Sequence, residues 1–200
     1  MGVMPIMIRL STVLALTLLC ASPGRACDEF KPVDLETGQK LMGILEAPNA
    51  QALDKIFAFQ TLACADQPIM RRFATDEGIK SKNPLLRAQA LAEIVLQRDA
   101  IKIELTETPG LPDSLRNWLK AEGHSLVYRV SRPQGRFNCV GINGANCDDL
   151  RQYQFRVDGE KVRLFYGNIV GDFQLAEGRN LRGTIKNGAN PAVPAKIDLE

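Results

Sequence analysis

The beginning of this sequence constrains its fold more than any other feature, because it predicts the compartment in which the chain folds. An apolar run over residues 10–20 follows Arg9 and ends in a segment that contains Gly24 and Ala26. A cationic start, a short apolar core and small residues before a cleavage point are typical of a secretory signal peptide. We therefore predict a signal peptide over 1–26. The mature chain should have no transmembrane segment, since a span needs roughly 20 apolar residues.

Two alternatives to a cleaved leader stay open. One is a buried N-terminal helix of a cytosolic protein, which Pro23 and Gly24 at the end of the apolar run disfavour. The other is a lipoprotein with its lipid on Cys27. The bulky Arg25 disfavours that interpretation, because small residues usually precede a lipidated cysteine.

Four cysteines remain after the predicted cleavage, and an even number in an exported chain indicates two disulfides. Cys139 and Cys147 enclose a segment whose Asn143-Gly144 dipeptide favours a tight turn. We therefore predict that Cys139 pairs with Cys147 and, by elimination, that Cys27 pairs with Cys64. No close pair of Cys or His residues has the spacing of a structural zinc site, so we expect no metal and no cofactor.

The charge balance gives no indication of a polyanionic partner. The chain has 25 basic and 23 acidic residues, and Arg9 and Arg25 leave with the leader, so 23 residues of each sign remain. Nucleic-acid binding and attachment to anionic membranes both depend on an excess of basic residues. We expect neither.

The mature chain changes in pattern near Gly123, from helical spacing of apolar residues to alternating strands. Residues 27–123 form a mainly helical region, in which Asn83-Pro84 is the clearest start signal because a capping residue precedes proline at the first helical position. That helix should run to about Arg98. Further helices are predicted from Asp34 to Leu45, from Asn49 through Cys64, from Asp66 to near Gly78, and from Pro112 to Gly123.

Residues 124–200 form a region of short strands separated by turn residues. Strands are expected at 125–131, 153–157, 161–166, 169–175, 181–185 and 196–199, and one more at 100–105. The fold class is therefore α+β, with a helical N-terminal half packed on or linked to a small antiparallel β-sheet, sandwich or partial barrel. If the strand at 100–105 joins that sheet, the two halves form one unit.

Chemical motifs are scarce, so the sequence predicts function only by class. His124 is the single histidine, and neither a nucleophile elbow nor a zinc-protease motif is present. We expect a non-catalytic binding module, periplasmic or secreted, whose partner is an envelope or extracellular protein or glycan. One alternative is a carboxylate-based hydrolase of an envelope polymer; another is a small-ligand carrier with an apolar cavity in the β region. The carboxylates that the hydrolase would use are Asp148, Asp149, Asp172 and Glu177.

The segment between Cys139 and Cys147 is the expected recognition element, since a loop pinned at both ends loses less entropy on binding. Exposed aromatic rings beside it could bind sugar rings or a protein partner. The predicted recognition surface comprises Asn143, Asn146, Asp148, Asp149, Tyr153 and Tyr166. The first four also offer oxygen ligands for calcium, although their spacing matches no EF-hand loop.

Overall fold

Five helices and eight strands make up the part of the chain that the computed structural model describes, namely residues 27, 29–131, 138–147 and 152–200. The predicted leader, 1–26, lies outside those residues. The helices are α1 (Leu35–Glu46), α2 (Ala52–Ala63), α3 (Pro68–Lys80), α4 (Pro84–Leu96) and α5 (Asp113–Ala121). None of the described helices is long and apolar enough to cross a membrane.

Two of the described helices, α1 and α4, begin at a side-chain cap. The Asp34 side chain accepts a hydrogen bond from the Thr37 backbone N–H at 2.8 Å and so begins α1. Asn83 accepts from the Leu85 N–H at 2.9 Å, immediately before Pro84 at the first position of α4. The helix predicted from Asn49 begins at Ala52 instead, and the residue before it makes no side-chain cap.

The end of α5 is set by glycine. Gly123 has φ +66°, a conformation that costs a residue without a Cβ atom little. This lets the His124 N–H donate to the Leu119 carbonyl at 3.0 Å and satisfies a carbonyl left over at the helix end. The chain then turns directly into the second strand.

The eight strands form one antiparallel sheet in the order β2-β1-β8-β7-β6-β5-β4-β3. The predicted strand at 100–105 is part of it, between β2 and β8. The strands are β1 (Ala100–Leu105), β2 (Ser125–Arg129), β3 (Cys139–Gly141), β4 (Gln154–Asp158), β5 (Lys161–Tyr166), β6 (Ile169–Leu175), β7 (Asn180–Asn187) and β8 (Val193–Asp198).

The sheet curls until its two edge strands meet, which makes it a partial barrel. Val130, just after β2, bridges to Ile142, just after β3. The Asn143 N–H donates to the Arg129 carbonyl at 2.9 Å across the same seam. Gly141 is required there, because a Cβ atom on it would lie 1.7 Å from the Ala145 carbonyl oxygen. The structure confirms the α+β fold class.

Helix α4 lies between the other helices and the sheet, so it is buried on nearly every side. It contacts α2 and α3, and it also contacts β3 and β4. Leu86, Leu91 and Val95 are each at most 1% exposed. At its start, the Arg87 guanidinium pairs with Glu160 in the β4–β5 turn at 2.5 Å, which ties the helices to the sheet.

Candidate functional site

A cleft of about 530 Å³ lies between α3, the end of α4 and the sheet, and it is the candidate functional site. Its volume falls within the range typical of small-molecule sites. The lining is polar and rich in arginine. The lining residues are Pro68, Arg71, Arg72, Thr75, Asp76, Ile94, Gln97, Arg98, Arg179 and Glu200.

Arg179, in the turn between β6 and β7, connects the sheet wall of the cleft to the helical wall. Its guanidinium donates to the Thr75 hydroxyl at 3.0 Å and forms an ion pair with Asp76, both on α3. Its own backbone carbonyl accepts from the Leu199 N–H at 3.0 Å. These contacts keep the side chain 19% exposed and fix a positive charge at the cleft surface.

Arg71 is held by neutral groups. One of its guanidinium nitrogens donates to the carbonyls of Ala65 and Asp66, each at 2.8 Å. Its guanidinium carbon also lies 4.3 Å from the centre of the Phe30 ring, in a cation–π arrangement. These contacts orient the side chain without neutralising it.

Arg98, at the end of α4, completes the basic group. It donates to the backbone oxygen of Glu200 at 2.6 Å. Burial lowers the pKa of Arg98, and the nearby positive charge of Arg179 lowers it further, while Asp198 opposes both effects. Arg179 therefore lies close enough to disfavour the charge on Arg98.

The cleft carries an excess of positive charge. Four arginines line it, against the two carboxylate side chains of Asp76 and Glu200. Asp76 is shared, since it contacts Arg179 and also lies 3.8 Å from the Arg72 guanidinium. An arginine presents several N–H donors in a planar fork, which matches the oxygens of carboxylate and phosphate groups. The arrangement can therefore bind an anion.

No pattern in the sequence predicts this site. The mature chain is balanced in charge, and the arginines come from α3, from the end of α4 and from a distant β-turn. Arg71-Arg72 is the one local signal, and two adjacent arginines are common on helix surfaces. Only the packing of the sheet turn on α3 brings Arg179 to them.

The described members of the predicted recognition surface lie at the seam of the sheet and are not part of the cleft lining. Asn143 is exposed at φ +53°, and the neighbouring Ile142 N–H donates to the Tyr153 carbonyl at 2.7 Å. Tyr153, 43% exposed, packs edge-on against Tyr166 with ring centres 5.3 Å apart. Asn146 is exposed in the same segment.

The structure therefore brings Asn143 close to Tyr153 and Tyr166, and their role in recognition stays a prediction. Asp148 and Asp149 lie outside the described residues. The predicted recognition segment is also less exposed than a free loop, because residues 139–142 are buried and the first three of them form β3.

The cysteines lie in the two expected pairs. Cys27 and Cys64 join the N-terminal segment to the end of α2, with Cα atoms 5.4 Å apart. Cys139 and Cys147 close the seam segment, with Cα atoms 6.1 Å apart. Two disulfides are typical of proteins in an oxidising, extracytoplasmic compartment.

The remaining candidates for chemistry are spread over the surface. Asp172 on β6 pairs with Arg163 on β5 at 3.1 Å, and Glu177 is exposed in the β6–β7 turn. His124 is exposed after α5. Among the described residues, no group of three or more His, Cys, Asp or Glu side chains is placed to hold a metal ion.

Fold and site together describe an α+β protein with two disulfides, a curled antiparallel sheet and an arginine-rich cleft between sheet and helices. Comparison with family models, with curated proteins and with solved structures finds no match for this chain.

Proposed function

We propose that this chain is a non-catalytic binding protein, periplasmic or secreted, whose arginine-rich cleft takes up a small anionic ligand. The observation that most supports this proposal is the excess of four guanidinium groups over two carboxylate side chains in one cleft of about 530 Å³. The ligand should carry a carboxylate or a phosphate, because both match the donor fork of arginine.

Arg98 and Arg72 are the residues most available to a ligand. Arg98 has one partner among its described hydrogen bonds, the backbone oxygen of Glu200. Arg72 is 79% exposed and lies 3.8 Å from Asp76, which already pairs with Arg179. An anion that contacts both would also relieve the repulsion between Arg98 and Arg179.

Calorimetric titration of the oxidised protein with inorganic phosphate, with citrate and with uncharged glucose tests the proposal. We expect phosphate and citrate to bind, glucose to give no heat, and both anions to bind more weakly in 0.5 M salt than in low salt, because exposed charges are screened. Arg98→Gln should weaken anion binding about 10- to 100-fold, since a hydrogen bond to a charged group contributes about 1.5–3 kcal/mol.

Arg182→Gln is the matched control. Arg182 is an exposed arginine on β7 outside the cleft lining, so its loss should leave the affinity unchanged. The proposal is wrong if neither anion binds at millimolar concentration, or if Arg98→Gln and Arg182→Gln bind the anions as the unaltered protein does. Circular dichroism of each variant separates a lost ligand contact from a lost fold.

Export from the cytoplasm is proposed on the leader pattern of 1–26, and the two disulfides support it. Fractionation of cells that express the full chain should recover a product shortened at its N-terminus in the periplasm or the medium. Recovery of the uncut chain in the cytoplasm with reduced cysteines would contradict it.

A further inference from the structure

A buried carboxyl group lies directly beside one of the two disulfides. Glu93, on α4, is 6% exposed, and its Oε2 atom lies 3.9 Å from the Cys27 sulphur. This is a contact and not a hydrogen bond, because a disulfide sulphur has no proton to donate. Gln97, one turn later on α4, donates its side-chain amide to the same oxygen at 3.1 Å.

Such a position is unfavourable for a carboxylate, since burial removes the water that would stabilise its charge. Burial accordingly raises the pKa of Glu93 to about 7, and the hydrogen bond from Gln97 opposes this only in part. Near neutral pH the group is therefore populated in both its protonated and its ionised form, within contact distance of a sulphur atom.

Charged groups on the surrounding elements do not account for this behaviour. Among the described residues, the helices and strands that contact α4 carry ionisable side chains, none of which shifts the pKa of Glu93. They include Asp54 and Lys55 on α2, Arg71 and Asp76 on α3, and Arg156 and Asp158 on β4.

The disulfide beside Glu93 is the more accessible of the two at its cysteines. Cys27 and Cys64 are both half-buried, whereas in the other pair Cys147 is half-buried and Cys139 is fully buried. Cys64 follows the last residue of α2, and its carbonyl accepts from the Lys31 N–H at 2.9 Å, which keeps the two ends of the bridge together. Both cysteines of this pair therefore have part of their surface open to solvent.

We propose that Cys27–Cys64 is a redox-active disulfide that exchanges with dithiols, and that Glu93 is the acid that protonates the Cys27 sulphur as it leaves. The thiolate of the dithiol forms a bond to the Cys64 sulphur. The bond between the two cysteines breaks, and its electron pair goes to the Cys27 sulphur, which takes the proton from Glu93. The second thiol of the dithiol, after losing its proton to solvent, attacks the dithiol's own sulphur in the mixed disulfide. The bond to Cys64 breaks, and Cys64 leaves as a thiolate that takes a proton from solvent.

The products balance. The dithiol is oxidised to a disulfide, Cys27 and Cys64 are reduced by two electrons, and Glu93 is left as a carboxylate that regains its proton from water. A protein dithiol or a small dithiol would serve equally as the reductant. The proposal is independent of the arginine-rich cleft, since no step uses an anion bound there.

The test is the rate at which dithiothreitol reduces each disulfide of the oxidised protein between pH 6 and 8.5. Free thiols are trapped by alkylation and assigned by mass spectrometry, and each rate is divided by the thiolate concentration. For Cys27–Cys64 this rate constant should fall at least tenfold across that pH range, because acid catalysis typically contributes a factor of about 10²–10⁴. In Glu93→Gln it should be at least tenfold lower at pH 6 and independent of pH.

Three controls accompany the measurement. Cys139–Cys147, in the same samples, should be unaffected by Glu93→Gln, and Glu177→Gln should leave both disulfides unchanged. The rate of global unfolding, followed by circular dichroism, must be slower than the reduction of Cys27–Cys64. The proposal is overturned if Glu93→Gln keeps the rate and pH profile of the unaltered protein, or if Cys27–Cys64 is reduced only as fast as the protein unfolds. Arg98→Gln should keep normal reduction kinetics, so failure of either proposal is recognised separately.

Discussion

Replacing Glu93 by glutamine should make the protein more stable at pH 8 and flatten the dependence of its stability on pH. In the unfolded chain, glutamate has its ordinary pKa, for which the reference value is 4.5, and in the folded protein burial raises it to about 7. Between those values the folded state holds a proton that the unfolded state has lost. Stability therefore decreases as the pH rises from 4.5 to 7, and the loss is complete above the folded pKa.

The size of this loss follows from the difference between the two pKa values. One pKa unit corresponds to about 1.36 kcal/mol, so the shift of Glu93 gives about 3 kcal/mol. Glutamine has nearly the same shape and can keep a hydrogen bond with Gln97, but it carries no charge at any of these pH values. At pH 8 the variant should gain up to about 3 kcal/mol, or roughly 6–12 °C in Tm for a chain of this size.

Urea unfolding at pH 5, 6, 7 and 8 measures this difference directly. The gain of Glu93→Gln over the unaltered protein should be small at pH 5 and grow to its full value by pH 8. Glu177→Gln, a change at an exposed glutamate, should show no such trend. A constant difference across the four pH values would refute the reasoning, since it would mean that Glu93 does not titrate differently on folding.

Three further predictions concern the fold, each checked by thermal unfolding of the oxidised protein. Gly141→Ala should destabilise the protein by more than about 2 kcal/mol, because the added Cβ atom would clash with the Ala145 carbonyl. Gly43→Ala, on the open face of α1, should stabilise the protein by about 0.5–1 kcal/mol. Equal effects of the two changes would contradict the close approach at the seam. Arg87→Gln should lower the free energy of unfolding by about 1 kcal/mol, because it breaks the partly buried ion pair with Glu160. Adding Glu160→Gln should lower it little further, since the pair is already broken. Fully additive losses would show that the two side chains do not interact. Asn83→Ala should lower the free energy of unfolding by about 1 kcal/mol, because α4 loses its N-terminal cap. Asn83→Ser should retain most of that stability. An alanine variant as stable as the unaltered protein would show that the cap is not needed.

Sequence patterns predicted many of the helices and strands, because these elements depend on interactions between residues that are close in the chain. Asn83-Pro84 marks the start of α4, since capping and the fixed φ of proline act within one turn. The alternating patterns at 100–105 and 161–166 mark β1 and β5 at their observed bounds. Asn143-Gly144 forms the expected turn in the Cys139–Cys147 segment, with positive φ at both residues.

Features that depend on contacts between distant parts of the chain were not predicted from the sequence. β3 covers only Cys139–Gly141 and has no alternating pattern; it is a strand because β4 pairs with it and α4 packs over it. Glu93 was not singled out either, because its helix is buried on nearly every side only once the sheet covers it. A carboxylate in a helical pattern normally indicates a solvent-exposed face.

By itself, the sequence determined the α+β class, most helix and strand positions and which cysteines are available to pair. These depend on backbone preferences and apolar periodicity, which act over a few residues. Tertiary structure alone decided that the sheet closes on itself, that four arginines share one cleft and that a carboxyl group is buried beside a disulfide. Those features join residues up to about a hundred positions apart, such as Thr75 and Arg179, and only packing brings such groups close enough to alter each other's charge and chemistry.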